Sequence, residues 1–455
     1  MDFDLVIKNA RMVTPLGTNP GSIGIKAGKI TAIAGQDSQL AAPATVDADG
    51  KYVIPGIVDP HVHLGLGLRS AFKDDVRTET RAAAAGGVTS IGIHLNVKGE
   101  SFLEGFERGA FGRFKGDFES ASVVDGFFHV PIKDEQSLDE MASYPKIGIT
   151  SFKLTWGEVG AGGDVNLYRV MERLSELGDS ARGIIHAENR ELAAFFGDRL
   201  DKQGRRDFPA WNDSRPWFCE AEFMEKSILY AEATRAPIYF EHVTIGRAIE
   251  ILTRARNRGV NVKAETCPQY LVLTSGEKGI LSDHPPFGHV NPPLRNKESN
   301  ELLWSGIATG VIDCIGSDHA PYTKKEKGNT IWDAPPGLGN LTEMTLPLLL
   351  SEGVNKGRIS IEKLVELCCY SPAKIFGLYP RKGGIVLGAD ADLVILDENK
   401  TRKVAPAILH SLCDWSAYEG RELKGWPVAT FLRGQLAAKD GEIIASAGSG
   451  NFLAR

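Results

Sequence analysis

Between residues 56 and 321 the chain repeats one rhythm: a short apolar, β-branched run, a turn, then a segment of helical period. The runs read GIVDPHVHL, GVTSIGIHLN, VVDGFFHV, IGITSFKL, GIIHAEN, PIYFEHV, VNVKAETC and VIDCIGSDHAP, eight in all. The stretch after the fourth shows what separates them. In VNLYRVMERLSELG, Leu167, Val170, Leu174 and Leu177 recur on one helical face, and Gly178 stands where a helix can end. GRAIEILTRARNRG repeats the pattern with Ile245, Ala248, Ile249 and Leu252, and helices are also expected around 217–233 and 298–309. Strands that alternate with helices pair in parallel through right-handed crossovers. Eight such units predict an α/β fold of the (β/α)8 TIM-like barrel type. No glycine-rich dinucleotide fingerprint opens the first unit, which disfavours an open doubly wound sheet.

The two ends have a different texture. DLVIKNARMV, SIGIKAG and KITAIAG are brief strands broken by Gly and Asn, and ADADLVILDEN and VATFLRGQLAAKDGEIIA return to that pattern near the C-terminus. The expected division is a composite β-sandwich from residues 1–54 and 385–445, a catalytic barrel over 55–384, and an arm at 446–455 that is either disordered or docked on a neighbouring subunit. A net charge of −6 offers no basic surface for nucleic acid. No apolar run approaches the length of a membrane span, and the charged start MDFDLVIKN is no signal peptide. The six cysteines (219, 267, 314, 368, 369, 413) lack CxxC spacing, so they are expected as reduced, buried thiols in a cytoplasmic protein.

In a barrel of this type reactive groups sit at the C-terminal ends of strands. His61 and His63 close the first run, and residues i and i+2 of a strand face the same side. Lys153 lies near the end of the fourth, His186 the fifth, His242 the sixth and Asp318 the eighth. Each alone has a plainer role: a histidine after a strand is usually a hydrogen-bonded loop residue, and Asp318 could cap a helix. Their joint arrival on one rim is what points to a metal site.

On these residues the chain resembles the cyclic amidohydrolases of the hydantoinase/dihydropyrimidinase group. GIVDPHVHL, SFKL, IIHAEN, AETCPQYL, NPPLR, VIDCIGSDHAPYT and SPAKIFGLYPRKGGIVLGADADLVILD are similar to that family's blocks, in the same order. The resemblance implies a small-molecule cyclic amide substrate of hydantoin or dihydropyrimidine type, opened to an N-carbamoyl amino acid. It also implies two divalent metals, Zn²⁺ for nitrogen-rich ligands or else Mn²⁺, Co²⁺ or Ni²⁺. His61, His63 and Asp318 would hold one ion and His186 and His242 the other. Lys153 matches the lysine that becomes a CO₂-derived carbamate bridging both, and Asp318 the catalytic proton shuttle. Asn291 and Asn340 are the candidate ring contacts. A homo-oligomer, commonly a tetramer, is the implied assembly.

The chain also departs from its relatives. Gly65 stands where dihydroorotases have an arginine, HVHLGLGL lacks the continuation of allantoinases, and Glu158 stands where many D-selective enzymes have a tyrosine. The missing tyrosine, CPQYL and LPLLLSEGVNKGRISIEKLVELC bring it closer in texture to L-selective hydantoinases. Rival readings are an allantoinase-like or cyclic imide hydrolase, and a non-catalytic scaffold; retention of all six ligand candidates disfavours the scaffold. Arg69 cannot be assumed to replace the missing arginine. His94 and His129 also end strands and are read as core or loop histidines, Arg295 as a structural ion-pair residue, and Trp156 as either pocket wall or packing.

Overall fold

The computed structural model describes residues 2–36, 38–65, 72–97, 102–103, 109–155 and 163–455. Arg69, Trp156 and Glu158 lie outside them. Eight parallel strands run in sequence order around one sheet: Ile57–His63, Val88–His94, Asp125–Pro131, Ser151–Thr155, Arg182–His186, Ile238–Phe240, Val262–Thr266 and Cys314–Ile315. The eighth meets the first just past its own end, through a parallel bridge between Val62 and His319 and a 2.8 Å bond from His63 N–H to the His319 carbonyl. Asp59 ties the same seam, accepting from the backbone N–H of His61 (3.2 Å) and Ser317 (2.9 Å). The eight expected runs are these strands, and the barrel is nearly closed.

The intervening helices form where the period-3.6 pattern predicts. Asp164–Leu177 buries Leu167, Val170 and Leu174 and ends at Gly178, whose φ of 75° suits a residue without Cβ. Trp217–Thr234, Ala248–Asn257 and Lys297–Ala308 supply others. Inside the barrel Gly92 is required for space: a Cβ there would lie 2.6 Å from His129 Nε2 and 2.7 Å from the Pro60 carbonyl oxygen.

The chain ends share one nine-stranded sheet. Leu5–Thr14, Gly17–Lys26 and Lys29–Gly35 form an antiparallel meander, and Tyr52–Pro55 pairs antiparallel with Leu393–Lys403 to join the N-terminal strands to the C-terminal set. Ile7, Ile23, Ile30, Val53, Leu393 and Phe431 build its separate core. A buried ion cluster fastens this β-sandwich to the barrel: Lys382 Nζ lies 2.6 Å from Asp125 on the third barrel strand, 2.6 Å from Asp392 and 2.9 Å from Asp390.

The tail, expected as an arm, is held against its own barrel. It packs beneath its own barrel, with Gly126 N–H bonded to the Asn451 carbonyl (3.0 Å) and Leu453 N–H to that of Gly126 (2.7 Å). Leu453 is fully buried, and Phe452 lies against Phe128. An apolar patch at the barrel floor thus finds its cover within the chain. All six cysteines are free and buried. Among the described residues no helix is long and apolar enough to cross a membrane.

Candidate active site

Strand register gathers the histidines at the C-terminal mouth. His63 pairs with His94 and His94 with His129 across the first three strands. The His61 and His94 rings lie 4.7 Å apart, whereas His129 turns inward to Ser151 Oγ (2.6 Å) and the Pro60 carbonyl (2.9 Å). Ligands from the short sixth and eighth strands lie beyond the strand ends. His242 (φ 37°) and Asp318 (φ 54°) are held in the left-handed region, which costs a non-glycine residue on the order of 1–3 kcal/mol and clusters at functional sites.

Two groups of donors result. His61 Nε2, His63 Nε2 and Asp318 Oδ1 stand 3.2 Å from one another. His186 Nδ1 lies 2.8 Å from His242 Nε2. Lys153 lines the mouth, in contact with Glu241. Around this sits a cleft of about 300 Å³, lined also by Lys133, Arg190, Asn291 and Tyr322, a volume suited to one small ring. A larger cleft of about 910 Å³ around Trp217, Arg247 and Leu302 contains none of the cluster.

The electrostatics favour bound cations. Burial alone would depress the His61 imidazole, but the carboxylates of Glu265 and Asp318 raise it to about 9. Burial dominates for His63 and His242, lowered to about 4, and for His186, lowered to about 3, so these rings present lone pairs at neutral pH. Asp318 would be raised by burial, yet His61, His63 and His242 hold it well below the usual carboxylate range. The uncharged His63 Nε2, the Asp318 carboxylate and, once its proton is displaced, His61 Nε2 stand 3.2 Å from one another and form a donor set suited to a divalent metal.

A model of the amidohydrolase family matches residues 242–437. D-hydantoinase from Rhizobium radiobacter is 34% identical over 467 residues, covering 100% of this chain and 99% of its own. L-hydantoinase from Paenarthrobacter aurescens is also 34% identical, over 468 residues, covering 100% and 98%. The solved structure of L-hydantoinase (dihydropyrimidinase) from Arthrobacter aurescens superposes with a TM-score of 0.91 at 31% identity, with 100% of both chains covered. The chain belongs to the hydantoinase/dihydropyrimidinase family of amidohydrolases. D- and L-named members match it at the same identity, so overall similarity carries no stereochemical signal.

Within this amidohydrolase fold the remaining candidates are placed as follows. Asn291 lines the cleft. Asn340 is not among the residues lining it; its side-chain amide donates to the Trp415 carbonyl at 2.6 Å, at the start of the helix Leu341–Leu348. Arg295 pairs with Glu220 at 3.2 Å and donates to Thr244 Oγ1 at 2.9 Å, and it is not among the residues lining the cleft. His94, read from the sequence as a core or loop histidine, lines the cleft itself.

Two carboxylates were not singled out from sequence. Glu265, within the AETCPQYL block, accepts from His61 Nδ1 (2.8 Å), from the His242 backbone N–H (3.1 Å) and from Tyr239 Oη (2.5 Å). It fixes the His61 tautomer so that Nε2 faces the cluster. Glu241 directly precedes His242, and strand alternation alone would turn it away from the site.

Proposed function

We propose that this chain hydrolyses the ring amide of a hydantoin- or dihydropyrimidine-like substrate to an N-carbamoyl amino acid, at a site that holds two divalent metals. The observation that carries this reading is the convergence of His61, His63, His186, His242, Asp318 and Lys153 on one small cleft at the barrel mouth. His61, His63 and Asp318 would hold one ion, His186 and His242 the other, with Zn²⁺ the best match to the nitrogen-rich donors. When bound, such ions lower the pKa of a ligated water towards ~7 and polarise the scissile carbonyl. A bridging anion belongs between the halves at Lys153; a carbamate on its Nζ is the form that the family resemblance implies.

The protein's own groups do the rest. Asp318, held as the anion, accepts a proton from the attacking water on a carboxylate oxygen. As the water oxygen bonds to the ring carbonyl carbon and the C–N bond breaks, Asp318 returns that proton to the leaving nitrogen. Asn291, which lines the cleft, would orient the ring through its backbone, the role that the family resemblance implies. Residues 55–384 form the catalytic unit, 1–54 with 385–445 the supporting one, and 446–455 a brace beneath the barrel. A cytoplasmic homotetramer is the proposed setting; the six free thiols support a reducing compartment, and the family resemblance supports the assembly.

The test is a panel of substituted hydantoins, dihydrouracil, allantoin and succinimide, assayed with Zn²⁺-, Mn²⁺- and Co²⁺-loaded protein. Ring opening of a hydantoin or dihydrouracil is expected. Opening of allantoin or succinimide alone would overturn the substrate assignment.

A further inference from the structure

Among the described residues, Lys327 is a fully buried ammonium that no carboxylate pairs. Burial lowers its pKa to about 7, with Cys413 alone acting in the other direction. Its donors go to three main-chain carbonyls: His289 at 2.9 Å, Pro335 at 2.7 Å and Gly337 at 3.0 Å. The Tyr322 and Trp415 ring centroids each stand 6.0 Å from Nζ, at the outer limit of a cation–π contact. An unpaired buried charge opposes folding, so the reason for it lies in what its acceptors hold.

Those acceptors belong to two segments of the cleft wall. Pro336 and Gly337 line the cleft, as does Asn291, two residues beyond His289. The Gly337 N–H donates to the His289 carbonyl at 2.9 Å, so that oxygen receives both the ammonium and the neighbouring segment. From the other side, Trp211 Nε1 donates to the Val290 carbonyl at 2.8 Å. The second segment has little slack. A Cβ on Gly337 would lie 2.5 Å from Ala320 Cβ and 3.3 Å from Tyr322 Cε2, both residues of the same wall. None of the three acceptors belongs to a proposed metal ligand.

We propose that Lys327 is a positioning residue for the substrate ring: its ammonium ties the 289–291 and 335–337 backbones at one spacing and so sets the wall that the ring meets. An ammonium offers three donors from a single atom, which matches three carbonyls converging on one point and accounts for a charge kept where burial opposes it. Lys327 touches neither the metal positions nor the reacting atoms; it acts through the backbone on either side. The inference rests on the ring-binding reading of this cleft and adds the residue that holds its shape.

The test uses full-length, Zn²⁺-loaded protein and the cyclic amide that the wild type opens best. Lys327→Met keeps the length of the side chain and removes every donor. Its KM should rise about 10- to 100-fold, with kcat within about threefold of wild type and about two zinc ions per chain retained. Lys327→Gln, which keeps two N–H donors, should fall between the two and serves as the second variant if Lys327→Met does not fold. A side chain that served stability alone would lower the melting temperature and leave KM where it is. A KM within about twofold of wild type in a folded variant, a loss confined to kcat, or a loss that tracks lost zinc would each overturn the proposal and leave the two-metal reading standing. If neither variant folds, Lys327 is a folding residue and the proposal fails. A wild type that opens no cyclic amide would overturn the ring-binding reading and the proposal together.

Discussion

Replacing Glu265 by Gln isolates the contribution of one buried charge. Gln keeps the shape and one acceptor for His61 Nδ1–H, now 2.8 Å from Oε1. The new amide group can donate to Tyr239 Oη, whose own hydroxyl can turn to Cys314 Sγ at 3.2 Å, so no buried group is left without a partner. A charge-assisted bond is worth about 1.5–3 kcal/mol and a neutral one about 0.5–1.5, so the exchange removes roughly 1–2 kcal/mol. That converts to about 5- to 30-fold weaker metal binding at the position held by His61, in the range usual for partners that orient a metal-bound histidine. Protons complicate the reading at neutral pH. Because His61 is raised to about 9 in the metal-free protein, metal must displace a proton below that pH, and wild-type affinity rises with pH until about 9. Removing Glu265 lowers that imidazole pKa and relieves the competition, which masks part of the loss at pH 7. The comparison therefore belongs at pH 9.5, by competition against a chromophoric chelator, with the melting curve of metal-free protein as the control for folding. Equal affinities at pH 9.5 in two folded proteins would refute the claim that Glu265 orients a metal-binding His61.

Other consequences follow from the same geometry. Asp318→Asn should keep much of its metal and lose about 10²- to 10⁴-fold in turnover; substantial residual ring opening would remove Asp318 as the proton carrier. Lys382→Met leaves Asp125, Asp390 and Asp392 facing one another without their ammonium. It should cost about 3–5 kcal/mol in urea unfolding, and a shift below about 1 kcal/mol would show that Arg433 and the other cations nearby suffice. Deleting residues 452–455 uncovers the barrel floor around Phe128 and Gly126. The melting temperature should fall while the oligomeric state is unchanged; a change of assembly with no loss of melting temperature would instead make the tail an intersubunit element.

The fold was legible because its signals are local and repeated. Eight β-rich runs separated by helical period leave few topologies, and His61 and His63 at i and i+2 on a strand must share a face. Glu241 was hidden by the same rule, since alternation assigns it the face opposite to His242 and only a positive φ at a non-glycine residue reverses this. No residue type announces such a turn. Glu265 was hidden differently: it sits inside a recognisable block, but its role depends on His61 from the opposite end of the barrel sequence. The tail reads as an arm because it opens on SAGSG, while the apolar floor it covers is assembled from distant strands. Asn340, beside a glycine, looked equally suited to a turn or a ring contact, and its bond to Trp415 depends on a residue far along the chain.

The most direct test of the account is a titration of metal-free protein with Zn²⁺ in which hydantoin ring opening and bound metal are followed together. Activity should be absent in the chelated protein and should rise to a plateau as loading reaches about two ions per chain. Ring opening by fully chelated protein, or none at all with both ions bound across the whole substrate panel, would contradict a two-metal cyclic amidohydrolase.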